Sequence, residues 1–340
     1  MESWALDGDD SRVIVSAASE GALDLCPPSG GACERLPFEA GWTAHTLTAG
    51  DLDGDGREDL VMGGIANNQT GERSPPLVCL GAQTADAVRC EPLPYGGDRD
   101  SGVTVGDLDG DGDQDIVVGV NDTDTWAGLP WICLNDGAGG FSCEAWDAIP
   151  EDIYVNTLVF KTPMGDLNGD GLVDVIVSWS PDYVPPLIWC EGVAGVPPSG
   201  LCRQTPIHTI QPPQSYHEAE GEYLDCSPLD LELVDLDLDG DLDLAAIGRF
   251  GVVYTCDNDG AGDLACSERA RLEGDLHGYE GLDVADLDGD RRPDLATFGE
   301  LEDALFPLIC LNREDGFDCL EPELDDDWYG MELLPAAFGP

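Results

Sequence analysis

A nine-residue aspartate segment returns along the chain, and its recurrence limits the possible folds more than any other feature. The segment 51-DLDGDGRED-59 comes back as 107-DLDGDGDQD-115, 166-DLNGDGLVD-174, 235-DLDLDGDLD-243 and 286-DLDGDRRPD-294. An eroded copy, 5-ALDGDDSRV-13, stands at the start. Their third positions are Asp7, Asp53, Asp109, Asn168, Asp237 and Asp288, in steps of 46, 56, 59, 69 and 51 residues. Self-similarity at such a period marks an array of one supersecondary unit.

Each copy runs into a short apolar stretch of β character: VIVSA, LVMGG, IVVGV, VIVSW, LAAIG and LATFG. A loop of variable length follows, then a second apolar run near a cysteine, as in LVCL, WICLN, LIWC, VVYTC and LICLN. A Gly- or Asp-rich turn leads to another cysteine, for example 134-LNDGAGGFSC-143. The residues before each aspartate segment are also strand-like, as in Thr43 to Ala49 and Val103 to Gly106. That makes four short strands per unit, with turn residues between them. No helical period persists for three turns.

Four strands repeated six times predict an all-β fold, a single β-propeller domain over residues 1–340 with six four-stranded blades rather than seven. Segment 330-GMELLPAA-337 aligns with 281-GLDVADLD-288, the strand that enters an aspartate loop. The N-terminus has few residues ahead of its eroded loop, so the C-terminal strand is expected to complete the first blade and close the ring. Closure removes the open sheet edges that invite aggregation.

The carboxylates at positions 1, 3, 5 and 9 of D-x-D-G-D-G-x-x-D converge only if the backbone curls around one point. Glycines at positions 4 and 6 permit that curl. Ligands that are all oxygen suit a hard cation, and several carboxylates in flexible geometry favour Ca²⁺ over Mg²⁺. Two carboxylates about 4 Å apart repel by about 4 kcal/mol at an effective dielectric near 20, so an empty loop is hard to sustain. Plain Asp-Gly turns would not place four spaced acids in one loop five times over. An EF-hand shares the DxDGDG opening but needs a glutamate at position twelve and flanking helices. Position twelve here is Met62, Val118, Val177, Ala246 or Thr297, each inside a strand-like run.

With these residues in view, the chain resembles the FG-GAP/VCBS repeat family, which includes the head propeller of integrin α-subunits and many bacterial secreted proteins. The resemblance implies Ca²⁺ bound by side chains at positions 1, 3, 5 and 9 and by the backbone carbonyl at position 7, at about five sites. In the first loop these are Asp51, Asp53, Asp55 and Asp59, with the Arg57 carbonyl. The second has Asp107, Asp109, Asp111 and Asp115, with Asp113. The third has Asp166, Asn168, Asp170 and Asp174, with Leu172. The fourth has Asp235, Asp237, Asp239 and Asp243, with Asp241, and Leu238 stands where a glycine is usual. The fifth has Asp286, Asp288, Asp290 and Asp294, with Arg292, and Arg291 replaces a glycine and brings positive charge close. That makes it the weakest of the five. Ala5 and Val13 remove two ligands from the eroded copy, where no calcium is expected. Integrin propellers usually have seven blades, so six is a departure.

Twelve of the 13 cysteines fall as one close pair per unit: Cys26 with Cys33, Cys79 with Cys90, Cys133 with Cys143, Cys190 with Cys202, Cys256 with Cys266 and Cys310 with Cys319. Each pair flanks a hairpin turn, which points to disulfides between adjacent strands. No CxxC spacing or nearby histidine supports metal binding instead. Cys226 is left over, either buried and inert or bonded to another chain. Such a framework belongs in an oxidising compartment, so the chain is expected outside the cell, at the cell surface or in the periplasm. Residues 1–20 carry no secretion signal, which is expected if a leader has been removed or replaced by Met1, or if the chain starts at an internal boundary.

The chain carries 70 acidic and 14 basic residues, a formal net charge of −56. Such a surface repels nucleic acid and anionic lipid. No run reaches the ~20 apolar residues that span a bilayer as a helix. In the related propellers, ligands meet the loops on the face opposite the calcium loops. Here those would be the variable loops 65–76, 121–131, 178–186 and 299–307, with the inter-blade connections. Aromatic rings beside acids and amides suit sugars, which makes Trp126, Trp179, Tyr183, Tyr216 and His217 candidate ligand contacts, although rings of this kind also pack between blades. The expected function is a calcium-stabilised binding or adhesion module for glycan or protein. The alternatives are a carbohydrate-active enzyme of the lyase type, using His208 and His217 in the 203–227 insertion, and a structural spacer within a larger surface protein.

Overall fold

The computed structural model describes residues 3–6, 12–17, 22–26, 34–35, 42–43, 46–63, 66–67, 74–81, 88–96, 100–120, 130–146, 162–177, 187–192, 202–205, 228–248, 252–271, 281–301, 304–314 and 316–320. Among them there is no helix. Six sheets of four antiparallel strands follow one another along the chain, each a simple meander. The strands are Ser3–Leu6, Arg12–Ala17, Ala22–Cys26 and Glu34–Arg35 in the first sheet, and Thr46–Gly50, Asp59–Gly63, Leu77–Leu80 and Arg89–Pro92 in the second. The third has Asp100–Gly106, Asp115–Val120, Trp131–Asn135 and Phe141–Ala145, and the fourth Met164–Gly165, Asp174–Val177, Leu187–Cys190 and Cys202–Thr205. The fifth has Pro228–Val234, Asp243–Gly248, Val252–Asn258 and Leu264–Arg271, and the sixth Leu282–Ala285, Asp294–Leu301, Ala304–Arg313 and Gly316–Leu320.

Side-chain alternation explains how these sheets stack as propeller blades. Successive residues of a strand point to opposite faces. In the third sheet, Ile116 and Val118 face the second sheet and pack with Leu52, Val61 and Val78. Val117, between them, faces the fourth sheet and packs with Val175, Val177 and Ile188. The fourth sheet then offers Ile176 and Trp189 to Leu231, Leu244 and Tyr254 of the fifth. The fifth offers Ala245, Ile247 and Val253 to Leu282, Leu295 and Leu308 of the sixth. A strand covered on both faces must be apolar at every position, which is why LVMGG and IVVGV read as unbroken runs. Each such Val, Leu or Ile contributes about 1.5–3 kcal/mol when fully buried. The outer strand is under no such constraint, and Arg89–Pro92 is exposed throughout.

Two details of strand placement differ from the sequence expectation. The strand expected over Thr43 to Ala49 is divided: Thr46–Gly50 joins the second sheet, while Trp42–Thr43 pairs with Ala66–Asn67 in a separate ribbon. Ser3–Leu6 fills the first-strand place of the first sheet, pairing with Arg12–Ala17. The C-terminal segment 330–337, expected in that place, lies outside the described residues.

Five of the six expected disulfides are present: Cys79–Cys90, Cys133–Cys143, Cys190–Cys202, Cys256–Cys266 and Cys310–Cys319. In every case the two cysteines stand directly opposite in the register of the third and fourth strands. The sixth expected bond, between Cys26 and Cys33, is not among them. Cys33 lies outside the described residues, and of Cys26 only the backbone at the end of Ala22–Cys26 is described. Cys226 lies outside the described residues as well.

Candidate metal centres

Each aspartate loop joins the first strand of a sheet to the second, and its carboxylates organise it from within. In the loop 51–59, the Asp55 N–H donates to Asp53 Oδ1 at 3.1 Å and the Arg57 N–H to Asp55 Oδ1 at 2.9 Å. The Gly56 N–H reaches back to Asp51 Oδ2 at 2.9 Å. The same three bonds recur in 107–115, 166–174, 235–243 and 286–294. Side chains bonding the amide two residues on form Asx turns, and such turns in succession coil the backbone around its own acids. Gly54 and Gly56 take φ of 72° and 82°, which a side chain would resist.

The ninth aspartate does a different job. It opens the second strand and is buried in all five loops: Asp59, Asp115, Asp174, Asp243 and Asp294. One of its oxygens accepts the N–H of the buried leucine at position 2, as in Leu108 N–H to Asp115 Oδ2 at 2.9 Å. The other accepts an N–H just past the third strand's cysteine, from Gly81, Asn135, Gly192, Asn258 or Asn312. Loop, second strand and third strand are thereby tied at one carboxylate. Burial pushes Asp59 and Asp115 up to about 6, against the lowering effect of their two amide donors. Asp174, Asp243 and Asp294 are raised for the same first reason. Asp109 and Asp237 are raised too, by desolvation and by neighbouring acids.

The asparagines join neighbouring sheets as well. Asn135 Nδ2 donates to the carbonyl of Leu52 at 2.9 Å, Asn258 Nδ2 to that of Leu167 at 2.8 Å, and Asn312 Nδ2 to that of Leu236 at 2.6 Å. Each carbonyl belongs to the aspartate loop of the preceding sheet. Sequence reading missed these residues, although the asparagine sits two places after the cysteine in WICLN, CDN and LICLN.

Acids of one loop come together at four places. One carboxylate oxygen from each of Asp51, Asp53 and Asp59 lies within 4.8 Å of the others. The same holds for Asp107, Asp109 and Asp115, for Asp235, Asp237 and Asp239, and for Asp286, Asp288 and Asp290. Among the described residues, the loop 166–174 gathers no such trio, since Asn168 holds its third position. Two charges at that spacing repel by about 3–4 kcal/mol at an effective dielectric of 20. Asp51 Oδ1 is buried with no hydrogen-bond partner among the described residues. An acceptor of that kind among converging acids fits a hard divalent cation, since every donor is oxygen. The position-7 residues Arg57, Asp113, Leu172, Asp241 and Arg292 lie on the same turns, their N–H groups held by the position-5 aspartates.

Leu238 does not disturb its loop. It adopts φ of 67° in place of the usual glycine, and the hydrogen bonds of Asp239 and Gly240 are kept. The cost is about 1–2 kcal/mol of backbone strain, with the side chain left half exposed. Arg291 does the same at φ 74°. The positive charge that enters this loop comes from Arg313, which bonds Asp288 Oδ2 and lies 3.3 Å from Asp290 Oδ2. The candidate ligand contacts Trp126, Trp179, Tyr183, Tyr216 and His217 lie outside the described residues, as does 206–227 of the insertion.

The family described as FG-GAP-like repeat matches residues 107–177 and 235–297, two stretches that each contain two such loops. Residues 107–177 and 235–297 resemble FG-GAP-like repeats. The loops at 51–59 and 286–294, the latter inside the second match, share the hydrogen-bond pattern of these FG-GAP-like units. No curated protein sequence matches the chain significantly. Among solved structures, the chain is similar to the major Malassezia sympodialis allergen Mala s 1, at 11% identity and TM-score 0.43, over 85% of this chain and 83% of that one. It is also similar to the Dos1 propeller, at 10% identity and TM-score 0.41, over 91% of this chain and 66% of that one.

The raised aspartates of these loops set a pH dependence. Their folded-state values lie above the ordinary 3.8, so the stability they contribute is present below about pH 4 and is lost as pH rises, for Asp59 and Asp115 through about 6. For Asp59 and Asp115 this amounts to about 3 kcal/mol each in the metal-free protein. A bound cation neutralises the ionised form and removes the loss. The melting-temperature gap between cation-loaded and metal-free protein is therefore expected to widen from about pH 4.5 to about pH 7 in calorimetry. A gap that is constant or narrows over that range would contradict the assignment.

Proposed function

We propose that this chain is a secreted or cell-surface binding module whose aspartate loops 51–59, 107–115, 166–174 and 235–243 are loaded with calcium, leaving the loops at the other end of the sheets to meet a glycan or protein. The observation that carries this reading is the orphaned, buried Asp51 Oδ1 within a set of converging carboxylates. Three or more carboxylates and no nitrogen or sulfur ligand suit calcium better than magnesium, which keeps its waters, or zinc. Five disulfides support an oxidising location. Among the described residues, no helix is long and apolar enough to cross a membrane. FG-GAP-like repeats in a propeller suit a rigid platform whose variable loops do the binding.

Placing the calcium loops between the first and second strands leaves the connections between the second and third strands, and between sheets, at the opposite end. The ribbon of Trp42–Thr43 with Ala66–Asn67 joins one connection of each kind. Calcium in this account supports the scaffold and performs no chemistry. Glycan and extracellular-protein arrays probed with the whole chain test the reading. Saturable binding without turnover, weakened about tenfold or more on chelation, is the expected result. Depolymerisation of a bound polysaccharide, lost on changing His208 or His217, would instead make it an enzyme.

A further inference from the structure

We propose that the guanidinium of Arg313 is the built-in cation of the loop 286–294, so that this loop takes no metal. Arg313 Nη1 bonds Asp288 Oδ2 and lies 3.3 Å from Asp290 Oδ2. These are two of the three acids whose oxygens converge in that loop. A divalent ion would need the oxygens that the guanidinium already occupies.

The placement follows from the third strand of the sixth sheet. Asn312 is fixed at both ends, its N–H on Asp294 Oδ1 at 2.7 Å and its Nδ2 on the Leu236 carbonyl at 2.6 Å. Arg313, the next residue, pairs with Gly316 across the hairpin. The equivalent places in the third and fifth sheets hold acids that turn back onto their own hairpins. Asp136 Oδ1 accepts the N–H groups of Ala138 and Gly140, and Asp259 Oδ1 those of Ala261 and Asp263. Only the sixth of these three sheets replaces the acid with a base, and there the loop it faces is altered too. The loop 286–294 carries Arg291 and Arg292, whereas 107–115 and 235–243 contain no base. Arg291 also holds φ of 74° where the sister loops have glycine. A planar guanidinium bridging two carboxylates is a well-suited substitute for a metal charge.

The proposal rests on the calcium reading of the other loops only for its metal count, and the test separates the two. Bound calcium is measured by elemental analysis after dialysis in wild type, Arg313→Gln and Asp288→Asn, and all three and the double variant are melted in chelator. Wild type and Asp288→Asn should hold equal calcium, and Arg313→Gln should gain one ion per chain. In chelator, Arg313→Gln and Asp288→Asn should each melt a few degrees lower, and the double variant no lower than the worse single. Loss of one calcium on Asp288→Asn would overturn the proposal. So would an Arg313→Gln melt equal to wild type in chelator. Wild type without any calcium would overturn the reading of the other loops, and the chelator melts would then decide the role of Arg313 alone.

Discussion

Stripping divalent cations from the folded protein is expected to lower its melting temperature by about 10–20 °C at neutral pH. The size follows from the number of loops rather than from any single one. A site held at a hundred times its dissociation constant stabilises the fold by about 2.7 kcal/mol, so several loops together supply on the order of 10 kcal/mol. For a domain of this size, each kcal/mol moves the midpoint by about 1–2 °C. Removal leaves trios of carboxylate oxygens within 4.8 Å and an unpaired Asp51 Oδ1. The ninth aspartates transmit the damage, since each ties its loop to two strands. Differential scanning calorimetry with and without chelator measures this, and superimposable melts would contradict it.

Reduction of the disulfides is expected to have the second large effect, adding a further fall of at least about 10 °C or abolishing the transition. The five bonds close loops of 9 to 12 residues. On the chain-entropy account each contributes about 2–3 kcal/mol, and five together rival the 5–15 kcal/mol by which most domains are stable. The bonds join third strands to fourth strands, and among the described residues the fourth strand has no neighbouring strand on its outer side. In the second sheet that strand is exposed throughout, so the Cys79–Cys90 bond holds what little core contact does not. Cys79, Cys133, Cys190, Cys256 and Cys310 are buried, whereas Cys90 is exposed, so reductant enters from the outer edge. A reduced and alkylated chain that melts within a few degrees of the native one would contradict this.

What the sequence disclosed was local, and what it hid was contact across sheets. The strand order within each unit and the five described cysteine pairings follow from short-range patterns, turn residues and hairpin lengths. The coiling of the aspartate loops was legible for the same reason, because an Asx turn spans two residues. Asn135, Asn258 and Asn312 reach carbonyls 83, 91 and 76 residues away, and no spacing rule announces such a partner. Arg313 lies 25 residues from Asp288, beyond any local spacing pattern, whereas Arg291 stands inside the loop; the base on Asp288 and Asp290 is Arg313. The leucine at position 2 was visible in every copy, yet its burial between sheets became clear only once the neighbouring sheet was in place. The split of Thr43 to Ala49 arose because Ala66–Asn67 competes for Trp42–Thr43.

The account depends on clustered carboxylates being neutralised by a bound ion in the native protein. Elemental analysis of folded chain, purified without chelator and dialysed at physiological salt, tests that most directly. The account predicts calcium retained in fixed proportion to protein, one ion for each of the loops 51–59, 107–115, 166–174 and 235–243. Folded protein with no bound alkaline-earth metal would contradict it.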